Sequence, residues 1–157
     1  MTETRDAAEP TYHVAGEENV GTILAFMRDF YVLEGNAYDE GMARRALLDF
    51  VRDPSLGRAW LIRLGEETIG YVVLTFGYSL EYRGRDAFID EFFIAAAHRG
   101  RGLGAKVLRF VDQACRDFGV RALHLEVGRK NAGAQALYRK HGFEDHDRCL
   151  LTRWISR

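Results

Sequence analysis

Residues 85–106 of this 157-residue chain read RDAFIDEFFIAAAHRGRGLGAK. The first ten are rich in aromatic and β-branched residues, the composition of a strand. Three glycines, Gly100, Gly102 and Gly104, then crowd into five positions before a helical pattern begins. Glycine inside a regular element costs about 0.5–1 kcal/mol relative to alanine, so this stretch reads as a turn that gains something from its glycines. The fold must therefore deliver the chain from a sheet strand straight to a helix N-terminus.

The neighbouring segments supply the other layers. TYHVAG (11–16) reads as a first strand. Val20, Ile23, Leu24, Met27, Phe30 and Tyr31 recur at helical spacing up to Gly35. A second helix spans about 39–51 and stops before DPSLG. RAWLIRL and TIGYVVLTFG flank GEE as a hairpin. After the glycines, Leu103, Val107, Val111, Ala114 and Phe118 mark a helix that Gly119 ends. VRALHLEV is a strand, 132–140 a short helix, and CLLTRWI (149–155) a last strand. Helices between the later strands predict an α/β, mixed-sheet fold in one domain over 11–157, behind a polar tail over 1–10.

Composition removes several classes of function. A net charge of −1 does not fit a nucleic-acid surface. No apolar run reaches the roughly 18 residues of a membrane span. The acidic start MTETRDAAEP is unlike a signal peptide, which predicts a cytoplasmic protein. Cys115 and Cys149 have no metal or redox spacing and read as reduced core or near-core residues. The five histidines imply no metal site.

A glycine turn opening a helix exposes several backbone N–H groups to the positive end of the helix dipole, which suits phosphate. Arg99 and Arg101 add mobile positive charge. A tight turn without ligand is the alternative on the glycines alone. The dinucleotide fingerprint fails on spacing, and no Gly-Lys-Ser/Thr follows for a P-loop. What matches is R-x-x-G-x-G at Arg99, Gly102 and Gly104. With IDEFFIAAAHRGRGLG before it and LEVGRKNAGAQALYRKHGF after it, the chain resembles the GNAT family of acetyl-CoA-dependent N-acetyltransferases, closest to the diamine branch, whose corresponding strand carries two acids and two phenylalanines.

The resemblance implies a mostly antiparallel sheet of six to seven strands, splayed between the fourth and fifth, with about four helices. It implies acetyl-CoA as co-substrate, no metal, and a small-molecule amine acceptor, with a homodimer among its expectations. A protein N-terminal or lysine acetyltransferase, or a CoA-binding domain without turnover, are the alternatives. The pyrophosphate falls to Arg99, Gly100, Arg101, Gly102, Leu103, Gly104 and Ala105, and the pantetheine arm to the backbone of Phe92, Phe93 and Ile94. Tyr138 matches the acid that protonates the leaving thiolate; packing on the sheet is its alternative. Asp90 and Glu91 compete for the base. Asp90 matches the family's glutamate, one methylene shorter, and is expected to act through water. Asn131 is carried over as a pantetheine or water contact, and helix capping is its alternative. Glu34 and Glu81, with Asp90, are the acids expected to bind the acceptor, and Tyr31, Tyr38 and Tyr82 could line the same cleft.

Overall fold

The computed structural model describes residues 8–156, so most of the tail read over 1–10 lies outside the described residues. The chain divides into two compact units, Met1–Glu126 and Val127–Arg157.

In the first unit, β1 (Thr11–Val14) leads to α1 (Val20–Glu34) and α2 (Glu40–Arg52). Three long strands follow: β2 (Gly57–Leu64), β3 (Glu67–Ser79) and β4 (Gly84–Ile94). Then come α3 (Leu103–Asp117) and β5 (Ala122–Leu125). Local chemistry sets the ends. Gly35 stops α1 in the left-handed region at φ 69°, and the Asp39 carboxylate accepts from the Met42 N–H at 2.8 Å to cap α2.

The strands lie in the order β1-β2-β3-β4-β5, antiparallel except for the parallel β4–β5 pair. Both faces of the sheet are covered, which is why β2 and β3 read as nearly unbroken apolar runs. On one face Ala59, Leu61, Tyr71, Val73 and Phe93 pack with Ile23, Leu24 and Met27 of α1 and Leu47 of α2. On the other, Trp60 meets Phe110 of α3 edge-on at 5.2 Å. Leu103, Val107, Val111 and Ala114 are buried along α3, as the four-and-three spacing predicts; Leu108 is buried beside them, and Phe118 is half-buried.

In the second unit, α4 (Ala132–Lys140) is the sole regular element among the described residues. The strand expected over 149–155 is absent, so the sheet has five strands rather than six or seven. The physical reason lies in pattern and partner. Leu150 and Leu151 are adjacent, which breaks the alternation of a half-buried strand, and the segment has no ladder to satisfy its backbone. Leu150, Leu151, Trp154 and Ile155 are all exposed. Cys149, expected near the core, is exposed with them, while Cys115 is buried and its thiol is pushed up to about 11 by that burial.

Candidate functional site

The β3–β4 ladder changes register in the middle of β4. Val73 pairs with Glu91 and Leu74 with Ile89, which leaves Asp90 as the extra residue of a β-bulge. A bulge interrupts the alternation of faces, so the two neighbouring acids are not bound to opposite sides of the sheet. The parallel ladder to β5 ends at the same place, with Ile89 opposite Leu125. From Asp90 to Ile94 the strand therefore pairs with β3 alone. This is where the resemblance placed a splay.

Glu91 is the fixed point. Its carboxylate accepts from the Tyr31 hydroxyl of α1 at 2.7 Å and from the Tyr71 hydroxyl of β3 at 3.0 Å. Burial pushes the carboxyl up from its ordinary value; the two hydroxyl donors oppose that shift, and the charge of Asp90 adds to it. Burial, reinforced by this carboxylate, drives both tyrosines well above their usual range, so they stay protonated as donors. Asp90 is exposed at its rim, yet enough protein surrounds its carboxyl for desolvation to raise it as well.

An aromatic cluster backs the pair. Phe93 lies 5.8 Å from Phe30, 6.0 Å from Phe26 and 6.4 Å from Tyr71 between ring centres, and Tyr31 lies 5.7 Å from Tyr38. Carboxylates whose pKa has risen, set among aromatic faces, suit an organic cation that must also give up a proton. Glu34 ends α1 one turn beyond Tyr31 and is exposed. Glu81 belongs to a different part of the unit, the β3–β4 turn, and is also exposed. The ring of its neighbour Tyr82 lies 4.8 Å from that of His124, tilted by 58°, and His124 hydrogen-bonds Asp86 at 3.2 Å. The expected acceptor residues thus fall into two places, with Tyr31, Tyr38 and Asp90 in one, Glu34 a turn beyond Tyr31, and Glu81 and Tyr82 in the other.

The glycine turn is built from backbone. Gly100 and Gly102 adopt φ of 74° and 73°, the left-handed region that favours glycine. Gly102 caps α3 with no side-chain hydrogen bond, so the N–H groups of the first turn, beginning at Leu103, Gly104 and Ala105, keep their capacity to bind an anion. A Cβ on Gly100 or Gly102 would meet no atom within 4 Å, so the glycines are required by backbone angle and not by crowding within the protein. Arg101 is exposed. Arg99, the other residue expected to carry mobile charge, is exposed as well but is anchored at one point. Its Nε–H donates to the Ile94 carbonyl at 2.7 Å, and its guanidinium lies 5.1 Å from the centre of the Phe93 ring.

In the second unit, the Asn131 side chain accepts from the Ala134 N–H at 3.1 Å and caps α4. Tyr138 is half-buried on α4 and meets Phe143 edge-on at 5.7 Å. Sequence reasoning missed Tyr71. Its signal was a tyrosine inside TIGYVVL, where a buried hydroxyl needs a partner. The cavity of about 220 Å³ lined by Trp60, Phe110, Ala114 and Phe118 carries only Gln113 and Asp117 as polar groups, so it lacks the converging titratable pair found on β4. Among the described residues no group of three His, Cys, Asp or Glu could hold a metal, and no helix is long and apolar enough to cross a membrane.

Comparison with known proteins gives the family of the chain. The model of the acetyltransferase (GNAT) family matches residues 23–143, a stretch that runs through both units. The uncharacterized N-acetyltransferase YycN of Bacillus subtilis (strain 168) is 35% identical over 89 residues, 56% of each chain. Thialysine N-epsilon-acetyltransferase of Bos taurus is 31% identical over 81 residues, 52% of this chain and 47% of that protein. The chain thus spans about half the length of the curated relatives it matches. Over nearly its full length it is similar to the crystal structure of integron cassette protein HFX_CASS3, from the mobile metagenome of Cole Harbour Salt Marsh. That likeness has a TM-score of 0.82 and 39% identity over 93% of this chain and 91% of that one.

Proposed function

Because the chain belongs to the acetyltransferase (GNAT) family, we propose that it transfers the acetyl group of acetyl-CoA to a primary amine of a small molecule. The acceptor is cationic, of polyamine, diamine or amino-acid kind, and the transfer is direct within a ternary complex. One domain over 11–157 carries the activity, and the family match over 23–143 supports the middle of that span. Cytoplasmic residence and a homodimer are carried over from the sequence reading alone.

The observation that carries the acceptor class is the Glu91 carboxylate fastened by Tyr31 and Tyr71, with Asp90 beside it and aromatic rings behind. The relative named for thialysine supports the same class, since its name specifies an ε-amine. Acetyl-CoA supplies a thioester carbonyl. The amine nitrogen bonds to that carbon as the carbon–sulfur bond breaks. The proton lost by the amine passes through water to Asp90, and the departing sulfur takes the proton of Tyr138. The backbone of 100–105 holds the pyrophosphate, and that of Phe92–Ile94 the pantetheine arm, with Asn131 as a further contact.

A panel of amines with acetyl-CoA, read by release of free thiol, tests the proposal. Diamines, polyamines or lysine-like compounds should turn over best. Thiol release with none of the panel, or with neutral and anionic acceptors alone, would overturn it.

A further inference from the structure

The end of β4 is clamped from three directions. Gly70 of β3 lies so close that a Cβ there would come within 2.1 Å of the Phe93 carbonyl oxygen. The Ala95 N–H donates to the Ile69 carbonyl at 2.8 Å. The third contact comes from the glycine turn itself, through the 2.7 Å bond from Arg99 Nε to the Ile94 carbonyl. Its guanidinium also rests over Phe93, the ring that touches Phe26, Phe30 and Tyr71. Tyr71 in turn holds Glu91. One side chain thus joins the turn that opens α3 to the strand end and to the cluster behind the acids.

We propose that Arg99 is a positioning residue: its Nε–H fixes the end of β4, and its charge is secondary. The inference rests on the acetyl-CoA reading for its catalytic consequence, but its structural part does not. A guanidinium committed to a carbonyl and a ring face keeps the Phe92–Ile94 backbone at one height and one angle. Displacing that backbone would misplace the donor's arm and the Glu91 side of the site together. A phosphate ligand would act differently, since its loss would be felt only by donors that carry phosphate.

Side-chain chemistry separates the two roles. The amide nitrogen of glutamine sits at the same position along the side chain as arginine Nε, so Arg99→Gln keeps the donor and removes the charge. Arg99→Lys keeps the charge and places a methylene where Nε was. Arg99→Met keeps the bulk and loses both. Each full-length variant is assayed with acetyl-CoA and with S-acetylpantetheine, which lacks the pyrophosphate and nucleotide. Losing one hydrogen bond should cost Lys and Met on the order of tenfold in kcat/KM, by the same factor for both donors, while Gln stays within about threefold. Full activity in Lys with a loss in Gln confined to acetyl-CoA would overturn the proposal. Amide hydrogen exchange without ligand is the independent readout. Exchange at Ala95 should quicken in Met and Lys and recover in Gln, and equal exchange in all four proteins also overturns it. Wild-type protein that uses neither donor would refute the acetyl-CoA reading, while the exchange result would still decide whether Arg99 holds the strand.

Discussion

The two halves of the candidate site in the first unit are made from different material. Around Glu91, side chains from α1, β3 and β4 satisfy one another, with two tyrosine hydroxyls on one carboxylate. At 100–105 the candidate groups are backbone N–H groups at a helix start that no side chain caps. The first half is assembled from residues 60 positions apart, as Tyr31 and Glu91 are. The second is written in six consecutive residues. A backbone site should therefore tolerate changes of side-chain polarity and fail when backbone angles change, and a side-chain site should do the reverse.

The largest effect would come from outside both halves. Tyr138→Phe should lower kcat by about 10²–10⁴-fold, the usual range for a general acid, with CoA affinity nearly intact. Turnover within twofold of wild type, with the chemical step limiting, would make Tyr138 a packing residue and leave the two halves as the whole machinery.

Next in size is the turn. Gly102→Val forces a β-branched residue to φ near 73°, where such residues are strained. The first turn of α3 should then lose two or so charge-assisted contacts to phosphate, about 100-fold in CoA affinity by calorimetry. Arg101→Ala should cost far less. Equal losses in the two variants would break the contrast between backbone and side-chain sites, and circular dichroism would show whether each variant is folded.

Tyr71→Phe probes the other half. A hydrogen bond to a charged group is worth about 1.5–3 kcal/mol, so Tm should fall by roughly 3–12 °C in a chain of this size. The pH dependence has a definite sign. Folding raises the carboxyls of Asp90 and Glu91, so the native state binds more protons than the unfolded one. Their contribution is most favourable below the unfolded values near 3.8 and 4.5 and is lost as pH rises through the raised native values. Replacing both with Asn and Gln should flatten the stability profile of wild type above pH 4.5. A profile of unchanged slope would mean that burial does not perturb the pair.

The smallest effect belongs to Glu34. The residue is exposed, and exposed ion pairs contribute about 0.2–1 kcal/mol. Glu34→Gln should raise KM for a diamine no more than about fivefold, and leave KM for a neutral-tailed monoamine unchanged. Equal shifts for both amines would remove Glu34 from the acceptor site.

Much of this was legible in the chain. The strand, turn and helix over 85–117 followed from local chemistry, because glycine angles, apolar spacing and helix stops act within a few residues of one another. The same locality made α4 and its Asn131 cap readable. The expected last strand failed because a strand needs a partner edge, and CLLTRWI carries no information about one. The choice between Asp90 and Glu91 was open for a related reason. Alternation alone assigns neighbours to opposite faces, and only the ladder with β3 reveals the bulge at Asp90. Tyr71, the hold on Glu91 and the seat of Arg99 on the Ile94 carbonyl were likewise decided by tertiary structure. Each depends on where a distant backbone or carboxylate comes to rest, and that is set by packing rather than by the residues on either side.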